Sequence, residues 1–148
     1  MNLATKIRDN FKLDFYLFTA DNLNLFEKVT LWLKKYISII LGRRYISYFG
    51  NDFFYDSKFT PALIVSYPKE ISLLDKYVNF NSIMTILDAG ANIGQFSYTL
   101  KKLFPHLHIY SFEPNKEIFP LLKKNSKYFS DWHIYNFGLD EKTTTRDF

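Results

Sequence analysis

Between Ile86 and Gly94 a short apolar run ends in an acid, Asp88, and two glycines follow at positions 90 and 94. An amphipathic stretch, Gln95 to Phe104, comes next. This order reads as a strand, a tight turn and a helix start, the junction where open α/β sheets hold nucleotide-like ligands. A second apolar run, Leu107 to Phe112, ends in another acid, Glu113, which stands 25 positions after Asp88.

The flanking pattern extends the same theme. Strand Ile83–Asp88, helix Gln95–Phe104, strand Leu107–Glu113, helix Asn115–Lys127 and strand His133–Phe137 alternate, which predicts parallel pairing with helical crossovers. Pro105 stops the first crossover helix. The fold class expected is therefore α/β, a Rossmann-like sheet. With three strands in this series where a doubly wound sheet usually has five or more, the sheet reads as incomplete.

The N-terminal part is organised differently. Residues 3–18 mix apolar and charged side chains in a helical manner. Asn24 can cap a following helix, with Glu27 placed to complete a capping box. From Leu25 onward apolar residues fall at 25, 26, 29, 32, 33, 36, 37, 40 and 41, and polar ones at 27, 28, 30, 34, 35 and 38. That period near 3.6 predicts an amphipathic helix. Gly42 ends it, and Arg43 and Arg44 suit its C-terminus. Tyr48 to Thr60 reads as irregular, Ala62 to Tyr67 as a short strand, and Pro68 as the start of another helix with Ile71, Leu74, Tyr77 and Val78 on one face. The expected organisation is an N-terminal helical extension with a short strand, 1–67, followed by a partial ligand-binding domain, 68–148.

Composition narrows the possibilities. The 148 residues include no cysteine, which excludes disulfides and thiolate metal sites. One fifth of the chain is aromatic, read as large core side chains rather than a stacking platform for bases, so no nucleic-acid partner is expected. Met1 to Asn10 lacks the apolar core of a secretory signal, and Val29 to Leu41 is broken by Lys34 and Lys35, so the expected location is cytoplasmic. The net charge of +4 is carried by residues 1–50, which hold eight Lys/Arg against four acids. That excess could draw residues 1–50 weakly to an acidic lipid surface or an acidic partner. His106 and His108 lack a third ligand nearby, and no metal is expected.

Two acids at successive strand ends suit a ligand with an amine at one end and a ribose further along. S-adenosylmethionine is such a ligand. Asp88 would hold its α-amine, and the open N–H groups at the start of the following helix its carboxylate. Asn92 offers an amide to the same portion, Glu113 accepts from ribose hydroxyls, and Pro114 presents an apolar surface. Gly90 leaves room for backbone approach, and Gly94 allows the helix to pack close to the strand.

The run Leu87-Asp88-Ala89-Gly90-Ala91-Asn92-Ile93-Gly94, followed by Ser111-Phe112-Glu113-Pro114-Asn115, resembles the FkbM family of S-adenosylmethionine-dependent methyltransferases. Leu121 to Asn125 resembles that family's helix leading to an Asn before the third strand, and Asn136-Phe137-Gly138-Leu139 matches more loosely. The resemblance covers about residues 83–140. It implies the class I methyltransferase sheet, with Asp88, Gly90, Ala91, Asn92, Gly94, Glu113 and Pro114 as cofactor contacts. It also implies O-methylation of a sugar or another small hydroxyl-bearing metabolite. The family continues into an acidic strand end that this chain does not contain, so the catalytic base and acceptor wall are not assigned. Two other readings stay open: an inactive cofactor-binding remnant, and a fragment of an NAD(P)-binding oxidoreductase, whose loop would carry glycine in place of Asp88.

Overall fold

In a computed structural model the described residues are 14–15, 17–21, 23–55 and 60–140. The chain divides into two compact units, Met1–Asn79 and Phe80–Phe148. The helix expected over 3–18 lies mostly outside the described residues; positions 14, 15, 17 and 18 are helical.

In the first unit, helix α1 spans Leu25–Ile40. Its start is the expected capping box: the Glu27 N–H donates to Asn24 Oδ1 at 3.0 Å, and the Asn24 N–H donates to Glu27 Oε2 at 2.8 Å. Its end is a Schellman turn. Gly42, at φ 60°, donates to the Ile39 carbonyl, and the Arg43 N–H reaches back to the Ser38 carbonyl at 3.0 Å.

The helix faces the other way from a simple amphipathic reading. Its buried residues are Leu31, Lys35 and Ser38, while Leu25, Phe26, Val29, Leu33, Ile37 and Ile40 are exposed. A buried acid accounts for this orientation. Both carboxylate oxygens of Asp14 are engaged: Oδ1 meets the Lys35 ammonium, and Oδ2 accepts from Trp32 Nε1 at 3.0 Å and from the Tyr36 hydroxyl at 2.8 Å. Three polar groups at positions 32, 35 and 36 share one helix face, and one carboxylate draws that face inward. Burial lowers the Lys35 ammonium pKa and Asp14 opposes that shift, whereas burial and the bond to Asp14 both raise the Tyr36 phenol.

Beyond α1, two corrections apply. The segment expected to be irregular contains an antiparallel hairpin of β1, Tyr45–Tyr48, and β2, Asn51–Phe54. Its two-residue turn is Phe49-Gly50, with φ 46° and 83°, the two positive angles that a primed hairpin turn requires. The strand expected over 62–67 does not form either. A single helix, α2, runs Thr60–Asp75 with Pro68 inside it, and so crosses the domain boundary expected at 67/68; the two units divide after Asn79. Of the face expected on this helix, Ile71 is buried, whereas Leu74, Tyr77 and Val78 are exposed.

The second unit has the expected α/β alternation. After a 3-10 turn at Phe80–Ser82 come β3 Thr85–Ala89, α3 Gln95–Leu103, β4 His108–Phe112, α4 Phe119–Ser126 and β5 Trp132–Tyr135. The three strands are parallel in the order β3-β4-β5, compatible with one flank of a Rossmann-like sheet. Register places Ile86, Asp88, Ile109, Ser111, Trp132 and Ile134 on one face, which α3 covers through Ser97 and Tyr98. The other face carries Leu87, Tyr110, Phe112, His133 and Tyr135, and Leu87 is 67% exposed. On it, Tyr110 stacks on His133 and Phe112 on Tyr135 with centroids 5.0 and 5.2 Å apart. No helix among the described residues is long and apolar enough to cross a membrane.

The Asp14 cluster makes a direct prediction. Asp14→Ala removes the carboxylate that Trp32, Lys35 and Tyr36 share and lowers the stability of the first unit by about 3–5 kcal/mol. Urea unfolding followed by circular dichroism measures this; a loss below about 1 kcal/mol contradicts the assignment.

Candidate functional site

The site is built where β3 and β4 end. Asp88 is the fourth residue of β3 and lies opposite Ser111 of β4. Glu113 follows the last residue of β4 and joins β5 through its N–H, which donates to the Tyr135 carbonyl at 3.0 Å. The two acids therefore stand at the carboxyl ends of neighbouring parallel strands, with the Gly90–Gly94 turn beside both.

That turn is wound tightly. Gly90, Asn92 and Gly94 have φ of 78°, 53° and 87°, all left-handed. The N–H groups of Gly90 and Ala91 both donate to the Phe112 carbonyl, at 2.9 and 3.0 Å, which anchors the turn to the end of β4. Ala91 is buried, so its side chain belongs to the core and its N–H is committed to the neighbouring strand. The two glycines serve different ends. At Gly94 a β-carbon would lie 2.7–2.8 Å from Trp132 and Leu122, so the glycine allows α3 to start against β5 and α4. At Gly90 a β-carbon would meet nothing within 4 Å; there the positive φ and the open space in front of the backbone are what glycine supplies.

Glu113 closes the arrangement. Its side chain is buried, with the residue only 7% exposed. Oε2 accepts the Asn92 N–H at 2.8 Å, and Oε1 accepts the Asn115 N–H at 2.8 Å. One carboxylate thus ties the glycine turn to the loop after β4. Each oxygen keeps a further lone pair, so the clamp does not exhaust its accepting capacity.

Asp88 is held from below. Its Oδ2 accepts from the Ser97 hydroxyl at 2.5 Å and the Ser111 hydroxyl at 3.1 Å. Ser97 and Ser111 lie 3.0 Å apart, and Trp132 Nε1 donates to Ser111 Oγ at 2.9 Å. This chain crosses β3, α3, β4 and β5. Among the described residues, Asp88 Oδ1 accepts no bond.

Ser97, Ser111 and Trp132 did not emerge as site residues from the sequence. Two further side chains also support the turn: Asn125, fully buried on α4, donates to the Ile93 carbonyl at 2.8 Å, and Asn136 donates to the Glu113 carbonyl at 2.8 Å. Spacing could not have found the serines, since they lie on different elements. For Ser111 the available signal was its place opposite Asp88 on the covered face; Ser97 lies on α3 and carried none. Pro114 sits beside the Gly138 backbone, where a β-carbon would come within 3.7 Å of its ring.

His106 lies in the turn after Pro105, with Nε2 at 3.2 Å from the Phe80 and Ile83 carbonyls. Among the described residues no group of three or more acidic or histidine side chains could hold a metal ion. No protein-family model, curated protein or solved structure matches the chain.

The two glycines predict separable effects. Gly94→Ala combines a left-handed β-carbon with overpacking and destabilises the second unit by roughly 2–5 kcal/mol. Gly90→Ala carries only the conformational term, about 1–2 kcal/mol. Denaturant unfolding of both variants checks this; equal losses would show that the Trp132 and Leu122 contacts are not limiting.

Proposed function

We propose that residues 80–140 bind S-adenosylmethionine, and that the protein is a methyltransferase acting on a hydroxyl of a sugar-like small molecule. The observation that carries the reading is the pair of carboxylates at the ends of adjacent parallel strands, the second of which accepts the Asn92 N–H of the glycine turn. The motif resemblance of Leu87–Gly94 and Ser111–Asn115 supplies the choice of cofactor and of acceptor class.

The donor set fits such a cofactor. Asp88 keeps one oxygen engaged by two serines and the other open, which suits an ammonium group. Glu113 retains lone pairs on both oxygens, which suits a pair of hydroxyls. Gly90 leaves space where a side chain would otherwise project. The first turn of α3 carries the positive end of a helix dipole, matched to a carboxylate. Pro114 offers an apolar edge.

When bound, S-adenosylmethionine supplies a methyl group made electrophilic by its sulfonium. The residues described contribute binding and orientation. The Ser97–Ser111–Trp132 chain fixes the Asp88 carboxylate, and the Glu113 clamp fixes the turn, so little reorganisation is needed when the ligand arrives. An acceptor hydroxyl also needs a base, and no residue is assigned that role.

Calorimetric titration of the full chain tests the reading. S-adenosylmethionine binds and NADH does not. Asp88→Asn, which keeps a similar shape but removes the charge, weakens binding by about 1.5–3 kcal/mol, and Glu113→Gln does so by about 1–3 kcal/mol. Preference for NADH, or unchanged affinity in a folded Asp88→Asn protein, overturns it.

A further inference from the structure

The exposed side of α1 is the largest feature that the cofactor reading leaves unexplained. Phe26, Val29, Leu33, Ile37 and Ile40 recur at spacings of three and four, so they form one stripe along the helix. All five are exposed, Phe26 at 80% and Ile40 at 78%. The stripe is roughly 21 Å long, at 1.5 Å per residue. Because the Asp14 cluster holds the opposite face inward, the helix cannot turn the stripe into its own core without breaking that cluster. A contiguous apolar strip of this kind marks a contact surface.

The charge around the strip selects the partner. Arg43 and Arg44 are exposed immediately after the helix, and Lys34 flanks the stripe. Lys34 also lines an open groove of about 190 Å³ with Phe26, Glu27, Thr30 and Phe49. The acid of this helix, Glu27, is engaged in the capping box. An apolar strip with basic borders matches an anionic bilayer surface, where the strip enters the acyl boundary and the cations meet headgroups. A second copy suits it less well. Lys34 lies near the helix midpoint, so in either a parallel or an antiparallel pair it would approach its own counterpart.

We infer that α1 is an interfacial helix that docks the protein on an anionic lipid surface through Phe26, Val29, Leu33, Ile37 and Ile40, with Lys34, Arg43 and Arg44 at the headgroups. This does not depend on the cofactor assignment.

Vesicle sedimentation of the full chain tests it. The protein pellets with vesicles containing phosphatidylglycerol and stays in the supernatant with pure phosphatidylcholine, and raising salt from about 0.05 to about 0.5 M releases it. Leu33→Asp with Ile37→Asp abolishes pelleting, and Arg43→Glu with Arg44→Glu weakens it by about tenfold or more. All four positions are exposed, so the circular dichroism spectrum should be unchanged. The wild-type comparison of lipids and salts stands even if a variant misfolds. Absence of pelleting with the anionic vesicles, or equal salt-insensitive binding to neutral ones, overturns the inference. So does a concentration-dependent dimer, made monomeric by Leu33→Asp, that ignores vesicles.

Discussion

A single buried carboxylate organises the second unit. Glu113 accepts the backbone N–H of Asn92 from one side and that of Asn115 from the other. Without that acceptor, two backbone donors on two loops would lose a bond to a charged group, each worth about 1.5–3 kcal/mol. The turn it holds contains three left-handed residues, one of them the non-glycine Asn92. Such a conformation persists only where its surroundings over-determine it. The Phe112 carbonyl, the Asn125 amide and Glu113 together supply that determination.

Asp88 has a different kind of support. Its carboxylate is reached by two serine hydroxyls, one of which is in turn held by an indole N–H. These links tie β3 to α3 and β4, and β4 to β5, so the position of the acid is set by packing across the whole small sheet rather than by the turn alone. Preorganisation of this sort is what a site needs if binding is not to be spent on ordering it. The same logic appears in the first unit, where Asp14 gathers Trp32, Lys35 and Tyr36 and so decides which face of α1 is seen from outside. In both units one acid gathers more than one donor.

Much of the second unit was legible in the sequence because its signals are local. The glycine turn, the acids closing two apolar runs and the stop at Pro105 each act within a few residues, and each strand and helix lies within a few residues of its expected place. The first unit was harder to read. Phe49-Gly50 makes a hairpin turn without the Asn-Gly signature, so β1 and β2 looked irregular. The β-branched run before Pro68 looked like a strand, yet the helix continues through the proline. Periodicity found α1 and its caps but not its orientation, which depends on Asp14, a residue outside the helix. Ser97 and Ser111 escaped notice for the same reason: the meaning of Ser111 comes from the register of β3 against β4, and that of Ser97 from the packing of α3 on them.

The central claim is that the turn between β3 and α3, braced by Glu113, grips the cofactor. Backbone amide shifts of the labelled chain during titration with S-adenosylmethionine test it most directly. The account predicts that Gly90, Asn92 and Gly94 move together with Asn115, because one carboxylate couples the two loops, while Thr30 and Ser47 in the first unit stay fixed. Saturating ligand that leaves those four amides unmoved, or that shifts the first unit instead, would contradict it.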